Sequence, residues 1–161
     1  MSIKKDVVII APHPDDEIIG CYEVIDNPNN NVIIIYAGET ESSRRAESLF
    51  LREYRNNIKM QLFLKSIPQS FLNRNNTFYF TDPINEVHPL HRNWGMIGES
   101  LARSGEDVIF YSTIMNVPWI HEVKETTAKE ELLNKIYPSQ SSLWKYEKKF
   151  VFFEGRYKWI F

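Results

Sequence analysis

The sequence holds a single cysteine, Cys21, among its 161 residues. One thiol cannot build an intrachain disulfide framework, and so sparse a use of cysteine suits a reducing compartment. Long apolar runs are missing too. The polar start Met1-Ser2-Ile3-Lys4-Lys5-Asp6 leads into an apolar stretch of only a few residues. Neither a signal peptide nor a membrane span is expected, and a cytoplasmic protein is. Charge of one sign is not in excess. Its 19 basic and 21 acidic residues leave a net charge of -2, which gives no electrostatic case for a nucleic-acid or membrane-surface partner. Internal repeats, low-complexity tracts and linkers are absent. A chain of this length with 43% hydrophobic and 25% charged residues is expected to form one domain, 1–161, with a real core.

The remaining information concentrates in Val7-Val8-Ile9-Ile10-Ala11-Pro12-His13-Pro14-Asp15-Asp16-Glu17-Ile18-Ile19-Gly20. The β-branched run reads as a strand buried on both faces. Pro12 and Pro14 impose an extended turn after it, and Asp15 and Asp16 stand where a helix begins, near its positive end. An imidazole and two carboxylates therefore sit at the carboxyl edge of a parallel sheet, where ligand sites of open α/β sheets form.

Asp6 to Ala11 is the first expected strand, about Asp15 to Asp26 a helix, residues 27–31 a turn, and Val32 to Ala37 a second buried strand. Together they make a βαβ unit and an α/β fold with a mostly parallel sheet. A polar loop, Gly38 to Ser43, opens on the same edge as His13. Ala46, Phe50, Tyr54, Ile58 and Leu62 recur every four residues, which predicts a long helix from Ser43 to Lys65. Thr77 to Phe80 is a short strand. Trp94, Ile97, Gly98 and Leu101 predict an amphipathic helix with His91 near its start, closed by Ser104-Gly105. Asp107 to Ser112 is another strand, with an antiparallel continuation toward Trp119. Thr126 to Tyr137 reads as a helix ended at residues 138–142, and residues 150–153 and 156–160 as terminal strands. The aromatic-rich C-terminal end is expected to pack on the core.

His13 and Asp16 lie three apart on one turn, and His91 follows a separate strand. Two imidazoles and a carboxylate are a common three-ligand set for a divalent metal, with a position left for water. A metal there would lower the pKa of bound water and polarise a carbonyl. Asp15, beside a ligand but not needed as one, is suited to take a proton from that water. His88 is three residues before His91 and, as an imidazolium, could stabilise an oxyanion. By residue type alone, Asp15 and Asp16 serve equally as helix caps and His13 as a turn residue. Three of the four histidines fall in the two clusters. His121 has no partner motif and reads as a satisfied structural histidine.

Ala11-Pro12-His13-Pro14-Asp15-Asp16-Glu17, with Gly20 following, resembles the signature of the PIG-L/LmbE-like deacetylases, and His88-Pro89-Leu90-His91 resembles that family's second motif. The stretch Lys129 to Gln140, ending Tyr137-Pro138-Ser139-Gln140, is similar to the family's late helix and Ser-Gln pair. The resemblance implies a Rossmann-like α/β fold with helices on both faces of the sheet. It implies a zinc-dependent hydrolase that removes acetyl from an N-acetylated amino sugar, with ferrous iron compatible with the same ligands. It implies His13, Asp16 and His91 as metal ligands, Asp15 as general base and His88 as electrostatic stabiliser. The chain departs from the family at Leu90, where an Asp is usual and could orient a histidine, and in a shortened region before His88. An Arg followed three residues later by Glu is usual on the long helix. Arg52 stands at the expected distance from Gly38-Glu39, but Arg55 occupies its partner position, while Arg44 with Glu47 has the internal spacing and begins earlier. Arg52 is carried over as a substrate-contact candidate, against a solvated helix face for the arginines.

The expected activity is N-deacetylation of a GlcNAc-type small molecule. Its rivals are deacylation of another acylated amine, such as a modified nucleoside or sugar conjugate, and a metal- or sugar-binding homologue without turnover. The facial triad of non-haem iron oxygenases uses the same ligand types, but the parallel-sheet context and the spare Asp15 speak against it.

Overall fold

Val7, Val8, Ile9, Ile10 and Ala11 are all fully buried, because their strand lies in the middle of the sheet and is covered on both faces. The computed structural model describes residues 4–38 and 40–158. In chain order these form β1 (Lys5–Ala11), α1 (Asp16–Asp26), β2 (Asn30–Tyr36), α2 (Ser42–Leu49), α3 (Leu51–Tyr54), β3 (Ile58–Phe63), β4 (Thr77–Thr81), α4 (Pro89–Arg103), β5 (Asp107–Tyr111), β6 (Ile120–Glu122), α5 (Thr126–Ile136), α6 (Ser142–Tyr146), α7 (Lys149–Phe152) and β7 (Phe153–Lys158). The strands make one seven-stranded sheet in the order β3-β2-β1-β4-β5-β7-β6. The first five run parallel, and β7 pairs antiparallel with both β5 and β6. The protein is thus α/β with a mixed, mostly parallel sheet. No helix among the described residues is long and apolar enough to cross a membrane.

Side chains alternate across the sheet with period two, so β1 feeds two cores. Val7, Ile9 and Ala11 join Ile18, Tyr22 and Ile25 of α1 with Leu133, Trp144 and Val151 from the C-terminal helices. Val8 and Ile10 join Phe78, Phe80 and Phe110 under Trp94 of α4. Helices therefore lie on both faces. Gly20 lets α1 approach β5: a Cβ there would lie 2.2 Å from Tyr111 Cδ2 and 3.1 Å from the Ser112 carbonyl oxygen.

The long helix expected over Ser43 to Lys65 is instead two short helices and a strand, α2, α3 and β3. A spacing of four is also a multiple of two, so Ile58 and Leu62 share a strand face as readily as a helix face. The helical stretch ends at Tyr54, and Arg55 follows in extended conformation, with Asn57 anchoring the chain as it enters β3. The buried Asn57 amide donates to the carbonyls of Ile25, Asn27 and Asn30 at 2.9–3.1 Å. Phe50 and Tyr54, which the helix pattern would bury, are 52% and 44% exposed.

Two further segments differ. Residues 150–152, expected as strand, belong to α7, with Phe150 and Val151 buried in succession and Phe152 exposed. Burial of two neighbours does not fit a half-buried strand. The expected strand over 156–160 is present as the later part of β7, and its last two positions lie outside the described residues. No strand continues from β5 toward Trp119; the chain turns through Met115 at φ 57° before β6.

An ion-pair cluster fastens the C-terminal layer to α1. Lys129 Nζ lies 2.9 Å from Glu154 Oε2 with both side chains 0% exposed, and it donates to the Ile19 carbonyl at 2.7 Å. Arg156 bridges Glu154 at 2.6 Å and Glu23 at 3.2 Å. His121 is held by Glu23 at 2.5 Å, as a structural histidine would be. Removing one member of a fully buried pair costs about 3–5 kcal/mol, because the other charge stays buried. Lys129→Met is therefore expected to lower the urea-unfolding free energy by that order. A loss under about 1 kcal/mol would show that the pair does not fasten this layer.

Candidate metal centre

The chain leaves β1 toward β2 on one side of the sheet and β4 toward β5 on the other. The loops after β1 and β4 therefore diverge at adjacent strand ends and open a crevice at the switch point of the sheet. His13 follows β1, and His91 lies in the first turn of α4 after β4.

The turn after β1 folds on itself. Asp16 Oδ2 accepts the His13 backbone N–H at 2.8 Å, and the Asp16 amide returns a bond to the His13 carbonyl at 3.2 Å. Asp15 sits between them at φ 109°, a region that few non-glycine residues adopt. Glu17 holds it there, since its Oε2 accepts the Asp15 backbone N–H at 3.0 Å. Glu17 Oε1 accepts in turn from Tyr36 at 3.0 Å and from the Tyr137 hydroxyl, and Gln61 donates to Tyr36 at 2.9 Å. Burial pushes Glu17 up to about 7, against the pull of the hydrogen bonds from Tyr137 and the backbone.

His13, Asp16 and His91 converge, with ligand atoms within 4.8 Å of one another. His13 Nδ1 lies 3.1 Å from His91 Nε2, and Asp16 Oδ2 lies 3.2 Å from His91 Nε2 and 3.5 Å from His13 Nδ1. Ligands on a tetrahedral Zn²⁺ at ordinary bond lengths are separated by about 3.3 Å, so the separations of the three atoms match the edges of such a polyhedron. His13 is half-buried, with 26% of its side chain exposed, which leaves one side of the group open.

The surrounding charge points the same way. Asp15, Asp16, Glu17 and Glu86 are all 6% exposed or less. One permanent cation touches them among the described residues, Arg44, whose Nη2 is 3.8 Å from Asp15 Oδ2 and donates to the Pro14 carbonyl at 2.6 Å. Burial and the carboxylates of Asp16 and Glu17 push the Asp15 carboxyl well above its usual range, with Arg44 opposing. Burial would lower His91, but Asp16 and Glu86 outweigh it and push the imidazole up to about 10. Both shifts reflect an excess of buried negative charge that a bound cation would also compensate.

Glu86 is a residue of this group that the sequence reading missed. Its Oε1 accepts from the Thr113 hydroxyl at 2.6 Å and amide at 2.9 Å and lies 3.4 Å from His91 Nδ1, which also contacts Thr113 Oγ1 at 3.1 Å. A carboxylate behind a histidine fixes its tautomer and leaves Nε2 free to ligate. Glu86 Oε2 is buried with no hydrogen-bond partner among the described residues. The orienting carboxylate that Leu90 cannot provide thus comes from five residues before His91. Leu90 packs on the other loop, where a Cβ on Gly38 would lie 2.9 Å from Leu90 Cδ2 and 2.3 Å from the Pro12 carbonyl oxygen.

His88 caps α4, its Nδ1 accepting the Leu90 amide at 3.1 Å. Its ring centroid lies 5.0 Å from that of His13 and 5.2 Å from that of His91. Burial and the two neighbouring imidazoles hold His88 below its ordinary pKa. With Nδ1 accepting, the ring is neutral and its donor is Nε2–H. Arg52 is not brought to this group, and its guanidinium donates to the Lys59 carbonyl at 3.4 Å. Arg44 is the arginine at the site. Of the C-terminal motif, Tyr137 reaches Glu17, whereas Ser139 bonds Glu47 at 2.9 Å.

No protein-family model matches the chain, and a search of curated proteins returns no match.

Replacing a partner behind a metal-bound histidine typically weakens metal binding about 10–100-fold. Glu86→Ala is expected to show a loss of that size when Zn²⁺ is titrated in competition with a chromophoric chelator. An unchanged affinity would deny Glu86 this role.

Proposed function

We propose that this protein is a metal-dependent N-deacetylase of the PIG-L/LmbE-like type, acting on a GlcNAc-type amino sugar. The observation that carries the proposal is a three-residue group able to hold a metal with a second buried carboxylate, Asp15, beside it and outside that group. Zn²⁺ is the proposed ion, and Fe²⁺ takes the same ligands.

A divalent ion held by His13, Asp16 and His91 supplies Lewis acidity toward a carbonyl and lowers the pKa of water. The chain's own residues do the rest. Asp15 takes the proton as water adds to the acetamide carbon, and delivers it to nitrogen as the C–N bond breaks, giving acetate and a free amine. The hydrogen bond from the Asp15 amide to Glu17 keeps this carboxyl at one place through both transfers. The neutral His88 ring donates Nε2–H to the carbonyl oxygen as its negative charge grows, a hydrogen-bond role rather than that of a fixed imidazolium.

Acetate release from a panel of N-acetylglucosamine derivatives tests this directly. The metal-loaded wild type should release acetate from at least one, His13→Ala should not, and Asp15→Asn should lose about 10²–10⁴-fold in kcat. A wild type that binds one metal equivalent and releases no acetate from any derivative would refute deacetylation of this substrate class.

A further inference from the structure

The helix that carries Asp16 is not continuous. α1 is kinked at Cys21, which departs from helical geometry at φ -133° and ψ 26°. In an unbroken helix each amide donates to the carbonyl four residues earlier, so the Glu23 amide would meet the Ile19 carbonyl, and the Val24 amide the Gly20 carbonyl. Here side chains of the C-terminal layer reach these groups. Lys129 Nζ donates to the Ile19 carbonyl at 2.7 Å, Arg156 Nη1 donates to the Gly20 carbonyl at 3.2 Å, and the Glu23 amide donates to Glu154 Oε1 at 3.3 Å. Lys129 and Glu154 are paired at 2.9 Å, both fully buried, and Arg156 bridges to Glu154. An ammonium and a carboxylate thus stand where one rung of the helix ladder would close, and a side chain that enters the ladder kinks a helix.

The kink divides α1 by task. Beyond it the chain is anchored toward β2 and β3, since Asn30 Nδ2 donates to the Val24 carbonyl and Asn57 Nδ2 to the Ile25 carbonyl, each at 2.9 Å. Before it stand Asp16, which faces His13 and His91, and Glu17, which accepts the Asp15 amide. With the later half anchored, a straighter α1 would swing the first turn and carry Asp16 and Glu17 with it. Stability alone does not call for this arrangement, because apolar residues of similar volume often replace a buried ion pair at no loss.

We propose that the Lys129–Glu154–Arg156 cluster is a positioning device for the metal centre: inserted into the α1 ladder, it holds the bend that aims Asp16 at His13 and His91. Its members are positioning residues that act through the α1 backbone. The inference rests on the metal centre of the proposed function and not on its deacetylase chemistry.

The test measures Zn²⁺ affinity by competition with a chromophoric chelator, and the visible bands of bound Co²⁺, in the wild type, Lys129→Met/Glu154→Leu and Arg156→Met. The double variant removes both charges together and leaves neither buried alone, so it is expected to fold. Its Ile19 carbonyl and Glu23 amide are then free to bond each other and straighten α1. Once a cooperative urea transition shows it folded, it should bind Zn²⁺ about 10–100-fold more weakly, the scale of losing a group that orients a ligand, with altered Co²⁺ bands. Arg156→Met keeps the buried pair and acts at a side chain that is 18% exposed, so it should fold and show a smaller loss in the same direction. A cluster that only stabilises the fold would lower the unfolding free energy and leave the metal affinity of the folded protein unchanged. Wild-type affinity and wild-type bands in either folded variant therefore overturn the proposal, as does a wild type that takes up no metal. Weakened Zn²⁺ binding in the variants of a protein that releases no acetate supports the proposal and refutes the deacetylase reading.

Discussion

Four carboxylates are buried around the end of β1, and most of the architecture of this protein serves to hold them there. Asp15, Asp16, Glu17 and Glu86 face two imidazoles and one guanidinium. Burying several like charges together is costly unless a counter-ion or proton compensates. Burial and the neighbouring carboxylates raise the Asp15 carboxyl, and Asp16 and Glu86 raise the His91 imidazole, both in the direction that limits the excess. A divalent cation among His13, Asp16 and His91 would compensate the same excess of negative charge. The raised Asp15 carboxyl, the raised His91 imidazole and the ability of the group to hold a cation thus share one charge imbalance.

The imbalance is held in place from three directions. From the front, Pro12 and Pro14 and the reciprocal bonds between His13 and Asp16 fix the turn. On the β4 side, Glu86 and Thr113 clamp His91, and the Thr81 hydroxyl donates to its carbonyl at 2.7 Å. Behind, Glu17 is gripped by Tyr36 from β2 and by Tyr137 from the C-terminal layer. That layer is itself fastened to α1 by Lys129, Glu154 and Arg156. Segments far apart in sequence therefore converge on the backbone of one residue, Asp15, at its positive φ.

The grouping of His13, Asp16 and His91 was legible because its parts are local. His13 and Asp16 share one turn, His91 opens a helix with a clear apolar face, and both follow unmistakable strands. The supporting residues were not legible, because nothing in sequence joins Glu86 to Thr113 or Tyr137 to Glu17. The one available hint was Glu17 itself, a carboxylate at a helix position that the α1 pattern buries. In the fold, β1, β2, β4 and α4 carried continuous apolar runs or a clean helical period and were recovered. β3 was not, since Ile58 and Leu62 satisfy helix and strand spacing alike and Asn57, which anchors the entry to β3, acts through bonds to three distant carbonyls. The residues of α7 were mistaken for strand for a similar reason, since a four-residue apolar run has no period of its own. Among the arginines, spacing from Gly38 favoured Arg52. Once the helix breaks at Phe50, Arg44 is the one that lies beside Asp15.

The most direct test of the account is Co²⁺ uptake followed by visible absorption, since cobalt in a low-symmetry nitrogen and oxygen site gives bands that aqueous cobalt lacks. The account predicts bands that saturate at one equivalent in the wild type and vanish in His91→Ala, with Zn²⁺ displacing the cobalt. A wild-type titration indistinguishable from that of His91→Ala would mean that the three side chains at the switch point do not form a metal centre.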